Sequence, residues 1–244
     1  MTYCVAVRVD AGLVMLSDTR TNAGMDNVSR FRKMFTYEVP GERAITMMCS
    51  GNLSITQEVK TCLSRAIKDS AENPDVETIL NCKSMHRAAQ IVGDAMAAMQ
   101  GRYRSQIEMQ GAGADASILL CGQRKGGKLR LYLIYTAGNF IEATADTPFF
   151  QIGEHKYGKP MLDRVIQPGT SIEEAVRAVC VSMDSTMRSN LSVGMPLDLS
   201  IIEKDAFRFR TRTRIEPDDE KFARISESWA AMLRKGFETL PSFI

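Results

Sequence analysis

Thr2, Asp18 and Lys33 are residues whose types can combine into one piece of chemistry. Loss of Met1 would leave Thr2 carrying both a hydroxyl and a free α-amine. A threonine hydroxyl is a poor nucleophile alone, and a terminal amine is among the few groups able to activate it. The ordinary pKa of such an amine is roughly 7.7–8.0, so a useful fraction is neutral at physiological pH. A lysine beside the hydroxyl favours the alkoxide, and an aspartate paired with that lysine fixes its position and charge. Each residue also has a plainer reading. Thr2 can be an ordinary processed start, Asp18 a strand-end turn aspartate, and Lys33 a solvated cation among Arg30 and Arg32.

The elements around these residues are suited to holding them. Residues 3–9 read as an apolar strand, Asp10-Ala11-Gly12 as a turn, and residues 13–16 as a second strand running into Ser17-Asp18. A buried strand at the start of a chain keeps that end in a sheet instead of letting it fray. A further strand over residues 46–49 ends in Ser50-Gly51-Asn52. A turn at a strand end aims N–H groups outward, and glycine permits close approach. Ser50 and Gly51 are therefore candidates for an oxyanion site, worth about 2.7–4 kcal/mol per donor. The alternative is a simple strand-to-helix turn.

As a set, these features resemble a proteasome-type β subunit of the N-terminal nucleophile hydrolase superfamily. The resemblance rests on the small-residue start, the hairpin, Ser17-Asp18-Thr19-Arg20 followed by Ala23-Gly24, and the later Lys33. It extends to Phe150-Gln151-Ile152-Gly153-Glu154-His155-Lys156-Tyr157-Gly158-Lys159-Pro160 and covers residues 2–203, in a version similar to the family's bacterial branch. It implies an α+β fold: a four-layer αββα sandwich of two stacked, mainly antiparallel sheets flanked by helices. It also implies a threonine peptidase without cofactor or metal, with Thr2, Asp18, Lys33, Ser50 and Gly51 catalytic. Arg20 and Thr21 would then lie along the substrate channel, Thr21 offering backbone hydrogen bonds to an extended peptide. Arg20 is read as bracing the loop through a carboxylate.

The support residues depart from the family's pattern. Glu154 stands where a serine is common, and Ser189 stands where an aspartate is expected, while Ser192 is kept. Glu154 could supply the missing charge, or bind Lys156, Lys159 or a neighbouring subunit. Two alternatives to a peptidase stay open: an amidase acting on small substrates, and a self-assembling scaffold with weak or no peptidase activity. The implied partners are further copies of this chain, in a ring or spiral, and a peptide or unfolded protein substrate.

Composition agrees with a globular chain. Hydrophobic residues make up 44% and charged residues 25%, ordinary proportions for such a protein. A net charge of +2 argues against a nucleic-acid partner or a membrane surface. Six cysteines lack metal-ligand spacing, so reduced, buried thiols in a cytoplasmic protein are expected. Arg8 and Asp10 interrupt the first apolar run, so a signal peptide is not expected there. His86 and His155 read as surface or packing histidines. The 244 residues read as one domain, with residues 216–244 a helical C-terminal extension.

Helices are expected from residue 54 behind a Ser54/Gln57 capping box, from Met85 to Met109, from a Ser171/Glu174 capping box, and after Asp218, and the resemblance implies a further one around residues 161–164. Strands are expected at 116–121, 129–136, 140–143, 149–152, 197–202 and 207–215. Arg208, Arg210, Arg212 and Arg214 alternate along the last strand. Such a row could meet phosphate, but the balanced charge favours Glu216, Asp218, Asp219 and Glu220 of an adjacent protomer.

Overall fold

Strand side chains alternate between two faces, and that alternation sorts the apolar residues into separate layers. Along β1 (Tyr3–Val9), Tyr3, Val5, Val7 and Val9 enter one core cluster while Cys4 and Ala6 enter another. The same division runs along β2 (Gly12–Asp18), where Val14 and Leu16 oppose Leu13 and Met15. Both faces of these strands are therefore covered. The computed structural model describes residues 1–22 and 28–242, so Ala23-Gly24 of the motif lies outside the described residues.

One antiparallel sheet has the order β10-β1-β2-β11-β12, adding β10 (Phe149–Gly153), β11 (Leu197–Glu203) and β12 (Phe209–Ile215). The other has the order β5-β6-β7-β8-β9: β5 (Met34–Val39), β6 (Arg43–Gly51), β7 (Ala116–Arg124), β8 (Arg130–Ile134) and β9 (Phe140–Glu142). Small residues line the space between the sheets, among them Cys4, Ala6, Ala44, Cys121 and Ala143, and let them approach closely. Helices α1 (Leu53–Glu72) and α2 (Met85–Met109) cover the second sheet through Ile55, Val59, Ala88, Val92 and Met96. Helices α3 (Lys159–Val165), α4 (Ile172–Ser189) and α5 (Glu220–Glu238) cover the first through Leu162, Val179, Met183 and Phe222. The result is the expected four-layer αββα arrangement.

Several local expectations are corrected. The N-cap of α1 is Asn52, whose side chain accepts from Ser54 N–H and Ile55 N–H, so the Ser54/Gln57 capping box does not form. The Ser171/Glu174 box does. The last strand begins at Phe209, because Asp205 and Phe207 take positive φ in the preceding turn. The arginines on that strand pair within their own chain: Arg210 with Glu173 and Glu203, Arg212 with Glu38, and Arg214 with Asp198. Strand pairing sets Asp198 opposite Arg214 and β11 carries Glu203, while Glu38 comes from β5 of the other sheet and Glu173 from α4, placements that sequence separation conceals. A short ribbon of β3 (Arg20–Asn22) and β4 (Val28–Arg30) was not anticipated, nor was β5.

Candidate active site

The start of β1 is fixed from two sides. Glu154 N–H donates to the Thr2 carbonyl at 2.6 Å, and Tyr3 N–H donates to Asp18 Oδ1 at 3.0 Å. Gly153, opposite Tyr3 in the β1–β10 register, explains how the chain can come so near. Its φ is +82°, and a Cβ there would stand 2.0 Å from the Thr2 carbonyl oxygen. Gly158 serves a similar close approach: a Cβ would meet Ser182 Oγ at 2.3 Å and the Tyr3 hydroxyl at 2.6 Å. The Tyr3 hydroxyl is shared between Ser182 and Gln151, and burial raises its pKa. Two glycines of the Gly-Glu-His-Lys-Tyr-Gly segment thus seat the first strand.

Asp18 ends β2 and is fully buried. Beyond it the chain leaves through β3, returns through β4, and Phe31 N–H donates to Thr19 O at 2.9 Å. That return delivers Lys33, whose carbonyl accepts from Cys49 N–H at 3.0 Å and so extends the β5–β6 ladder. The Lys33 ammonium donates to Asp18 Oδ1 at 2.7 Å, to Arg20 O at 2.6 Å and to Met1 O at 3.3 Å. One residue therefore bridges the two sheets. Burial pushes the Asp18 carboxyl above its ordinary range, opposed by Lys33 and by the Tyr3 and Gly194 amides. Met1 is bonded to Thr2, and partial burial together with Lys33 holds its α-amine below the usual terminal value, with Asp18 opposing.

Thr2, Thr21, Lys33, Ser50 and Gly51 line one cavity of about 310 Å³, joined by Arg32, Phe35, Cys49, Leu53, Thr56 and Gln57. Gly51 has φ +92°, and a Cβ there would lie 2.2 Å from Asp115 O. Asn52 N–H is already taken by Asp115 O, at 2.8 Å. A larger groove of about 1090 Å³ runs between α3, α4 and α5 past Trp229. It contains none of the residues singled out for chemistry.

The remaining expected site residues lie around this cavity or away from it. Arg20 turns back, lies against Gly194 and donates to Leu191 O at 2.8 Å, so among the described residues its partner is a carbonyl and not the expected carboxylate. Ser189 ends α4 with its side chain exposed and does not line the cavity. Ser192 is half-buried, and its N–H donates to Asn190 Oδ1 at 2.9 Å. Asn190 was missed from the sequence. Its amide donates to Glu154 Oε2 at 3.1 Å, tying the 190–194 loop to the residue that holds Thr2. The only signal was its place between two expected serines. Glu154 therefore meets Asn190, not Lys156 or Lys159. Among the described residues, no group of three or more His, Cys, Asp or Glu side chains is placed to hold a metal ion. No described helix is long and apolar enough to cross a membrane.

Comparison with known proteins agrees with this architecture. No curated protein sequence matches the chain. Among solved structures, Anbu (ancestral beta-subunit) from Yersinia bercovieri is 42% identical, with a TM-score of 0.91 over 99% of this chain and 98% of that one. The helical assembly of the Anbu complex from Pseudomonas aeruginosa is 43% identical, with a TM-score of 0.91 over 98% and 97%. An Anbu (Gly-1) mutant from Hyphomicrobium sp. strain MC1 is 44% identical, with a TM-score of 0.90 over the full length of both. The family described as proteasome subunit matches residues 2–202, and the chain belongs to that family.

Proposed function

We propose that this chain is a cytoplasmic, proteasome-like threonine peptidase that acts in a homo-oligomer once Met1 is removed. The observation that carries this reading is the Lys33 ammonium. It lies between Asp18 Oδ1 and the carbonyl just ahead of Thr2, in a cavity also lined by Ser50 and Gly51. In the proposed reaction the Thr2 hydroxyl attacks the peptide carbonyl and its proton passes to the Thr2 amine, directly or through a water. Lys33 favours the developing alkoxide, and Asp18 keeps Lys33 charged and in place. A backbone N–H of Ser50 or Gly51 receives the oxyanion. The C–N bond then breaks as the amine returns the proton to the leaving group. Water hydrolyses the resulting ester and frees Thr2.

Thr21 supplies backbone hydrogen bonds to an extended peptide at the cavity edge. Arg20 acts through the loop it holds and through its carbonyl on Lys33. Ser192 supports the amine from the 190–194 loop, while Ser189 stands exposed at the end of α4. The single domain includes α5 as its C-terminal extension. Assembly into a ring or spiral is supported by the helical assembly of the Pseudomonas aeruginosa relative.

Hydrolysis of fluorogenic peptides by wild type and Thr2→Ala tests the reading. Activity in wild type alone supports it, and equal activity in both rejects it. The exposed Ser189, in place of an acid, favours a second reading: an assembled scaffold with weak or no peptidase activity. An assembled, Met1-free sample that cleaves neither peptides nor small amides supports the scaffold. Cleavage of small amides alone supports an amidase.

A further inference from the structure

At the end of the second sheet remote from Thr2, basic residues gather on one face. Arg43 and Arg124 are directly opposed across β6 and β7, and Arg130 pairs with Gly122 nearby. Their parity along the strands matches Ile45, Leu120 and Tyr132, which pack against α1 and α2, so all three arginines face the helix layer. Like charges directly opposite each other destabilise a sheet unless they are neutralised. Arg43 has Glu42 and the carbonyls of Ile79 and Cys82. Arg130 has Glu142, which also lies 3.9 Å from Arg8. Among the described residues, no carboxylate pairs with Arg124 or with Lys128. The Nε of Arg124 is buried without an acceptor.

Arg124, Lys128, Arg130 and the Glu142 paired with Arg130 line a cavity of about 280 Å³, together with Ser84 and His86. Ser84 is the N-cap of α2, and the first turn of that helix carries no acidic residue. The positive end of a 25-residue helix thus adds to the cationic field. His86 packs edge-on against Tyr132 and Phe140 and forms an aromatic wall.

We propose that this cavity binds a phosphate dianion, free or as the ester of a small molecule. Two cations without counter-ions match its charge of about −2. Arginine and ammonium N–H groups, with the N-terminal amides of α2, match its tetrahedral oxygens. Glu142 does not compete, because Arg130 already holds it. The inference is independent of the chemistry proposed for Thr2, since the site lies at the opposite end of β6 and β7.

Calorimetric titration of the full chain with inorganic phosphate, phenyl phosphate and benzoate tests it. Saturable binding of inorganic phosphate is expected, weakened about tenfold by Lys128→Gln and about a hundredfold by Arg124→Gln/Lys128→Gln. Lys125→Gln, on the exposed side of the same turn, should bind as wild type does. Tighter binding of phenyl phosphate assigns an ester, and equal binding assigns free phosphate. No saturable phosphate binding overturns the proposal, as does undiminished binding by the double variant or benzoate binding as tightly as phenyl phosphate. Circular dichroism checks folding, and if the double variant is unfolded, Lys128→Gln alone decides.

Discussion

Asp18 Oδ1 receives both the Lys33 ammonium, at 2.7 Å, and the Tyr3 amide, at 3.0 Å. One carboxylate oxygen therefore sets the position of the buried cation and of the strand that begins beside Thr2. Asp18 is 0% exposed and Lys33 5%, so water cannot replace either partner. Removing one member of a buried pair typically costs about 3–5 kcal/mol, because the other charge is left uncompensated. Asp18→Asn should lower unfolding stability by about 3 kcal/mol in a urea titration, and should abolish any Thr2-dependent hydrolysis.

Lys33→Met should respond to pH in a defined direction. Burial already lifts Asp18 above its ordinary value of 3.8, and loss of Lys33 removes the chief opposing charge. The native state then holds the Asp18 proton more tightly than the unfolded chain does. That contribution is complete below 3.8 and is lost as pH rises through the raised native value. Urea midpoints of Lys33→Met should fall across that window, and Asp18→Asn/Lys33→Met should lack the slope. A Lys33→Met variant that gains stability with rising pH there would contradict the assignment.

Gly153 and Gly41 form a matched pair of test positions. Both have positive φ, +82° and +76°, but a Cβ at Gly41 meets nothing within 4 Å while one at Gly153 strikes the Thr2 carbonyl. Gly41→Ala should cost about 1 kcal/mol of backbone strain. Gly153→Ala should cost at least about 2 kcal/mol more in the same denaturation assay, because β10 must move off Thr2. Equal losses would mean that the close approach carries no energy.

Glu154 acts through two groups. Its N–H holds Thr2, and its carboxylate accepts from Asn190. Glu154→Gln keeps both an acceptor and the backbone, so it should leave the 190–194 loop as resistant to limited proteolysis as wild type. Glu154→Ala should open that loop, costing about 1–3 kcal/mol for the unpaired Asn190 amide. Failure of Gln to rescue would show that charge, not hydrogen bonding, is what matters there.

Cys49 lies at the cavity floor beside Ser50, yet burial pushes its thiol up to about 12. The thiolate is the reactive form, so iodoacetamide should leave Cys49 unmodified in the native protein at about pH 8. Cys62, which is not buried, should label first in peptide mapping. Rapid labelling of Cys49 would show that the cavity opens further than its lining suggests.

The layers of this fold were legible because period-two alternation and two-sided apolar strands survive in the sequence, as along β1 and β2. The edge strand β5 was not, because its residues after Met34 are only half-buried and leave a weak pattern. The pairing of Lys33 with Asp18 came from resemblance alone, since it depends on β3 and β4 turning the chain back between two sheets. Asn52 displaced Ser54 as a helix cap because its amide also reaches Gly113 O, at 2.8 Å. Asn190 stayed hidden because its partner, Glu154, sits at the end of a strand far away in sequence.

The most direct test of the central claim is peptide mapping after exposing the assembled protein, with Thr2 freed as the first residue, to a threonine-reactive mechanism-based probe. The account predicts a covalent adduct on Thr2, lost in Lys33→Met while Lys128→Gln retains it. A folded, assembled sample with its amine free and no adduct on Thr2 would contradict the claim.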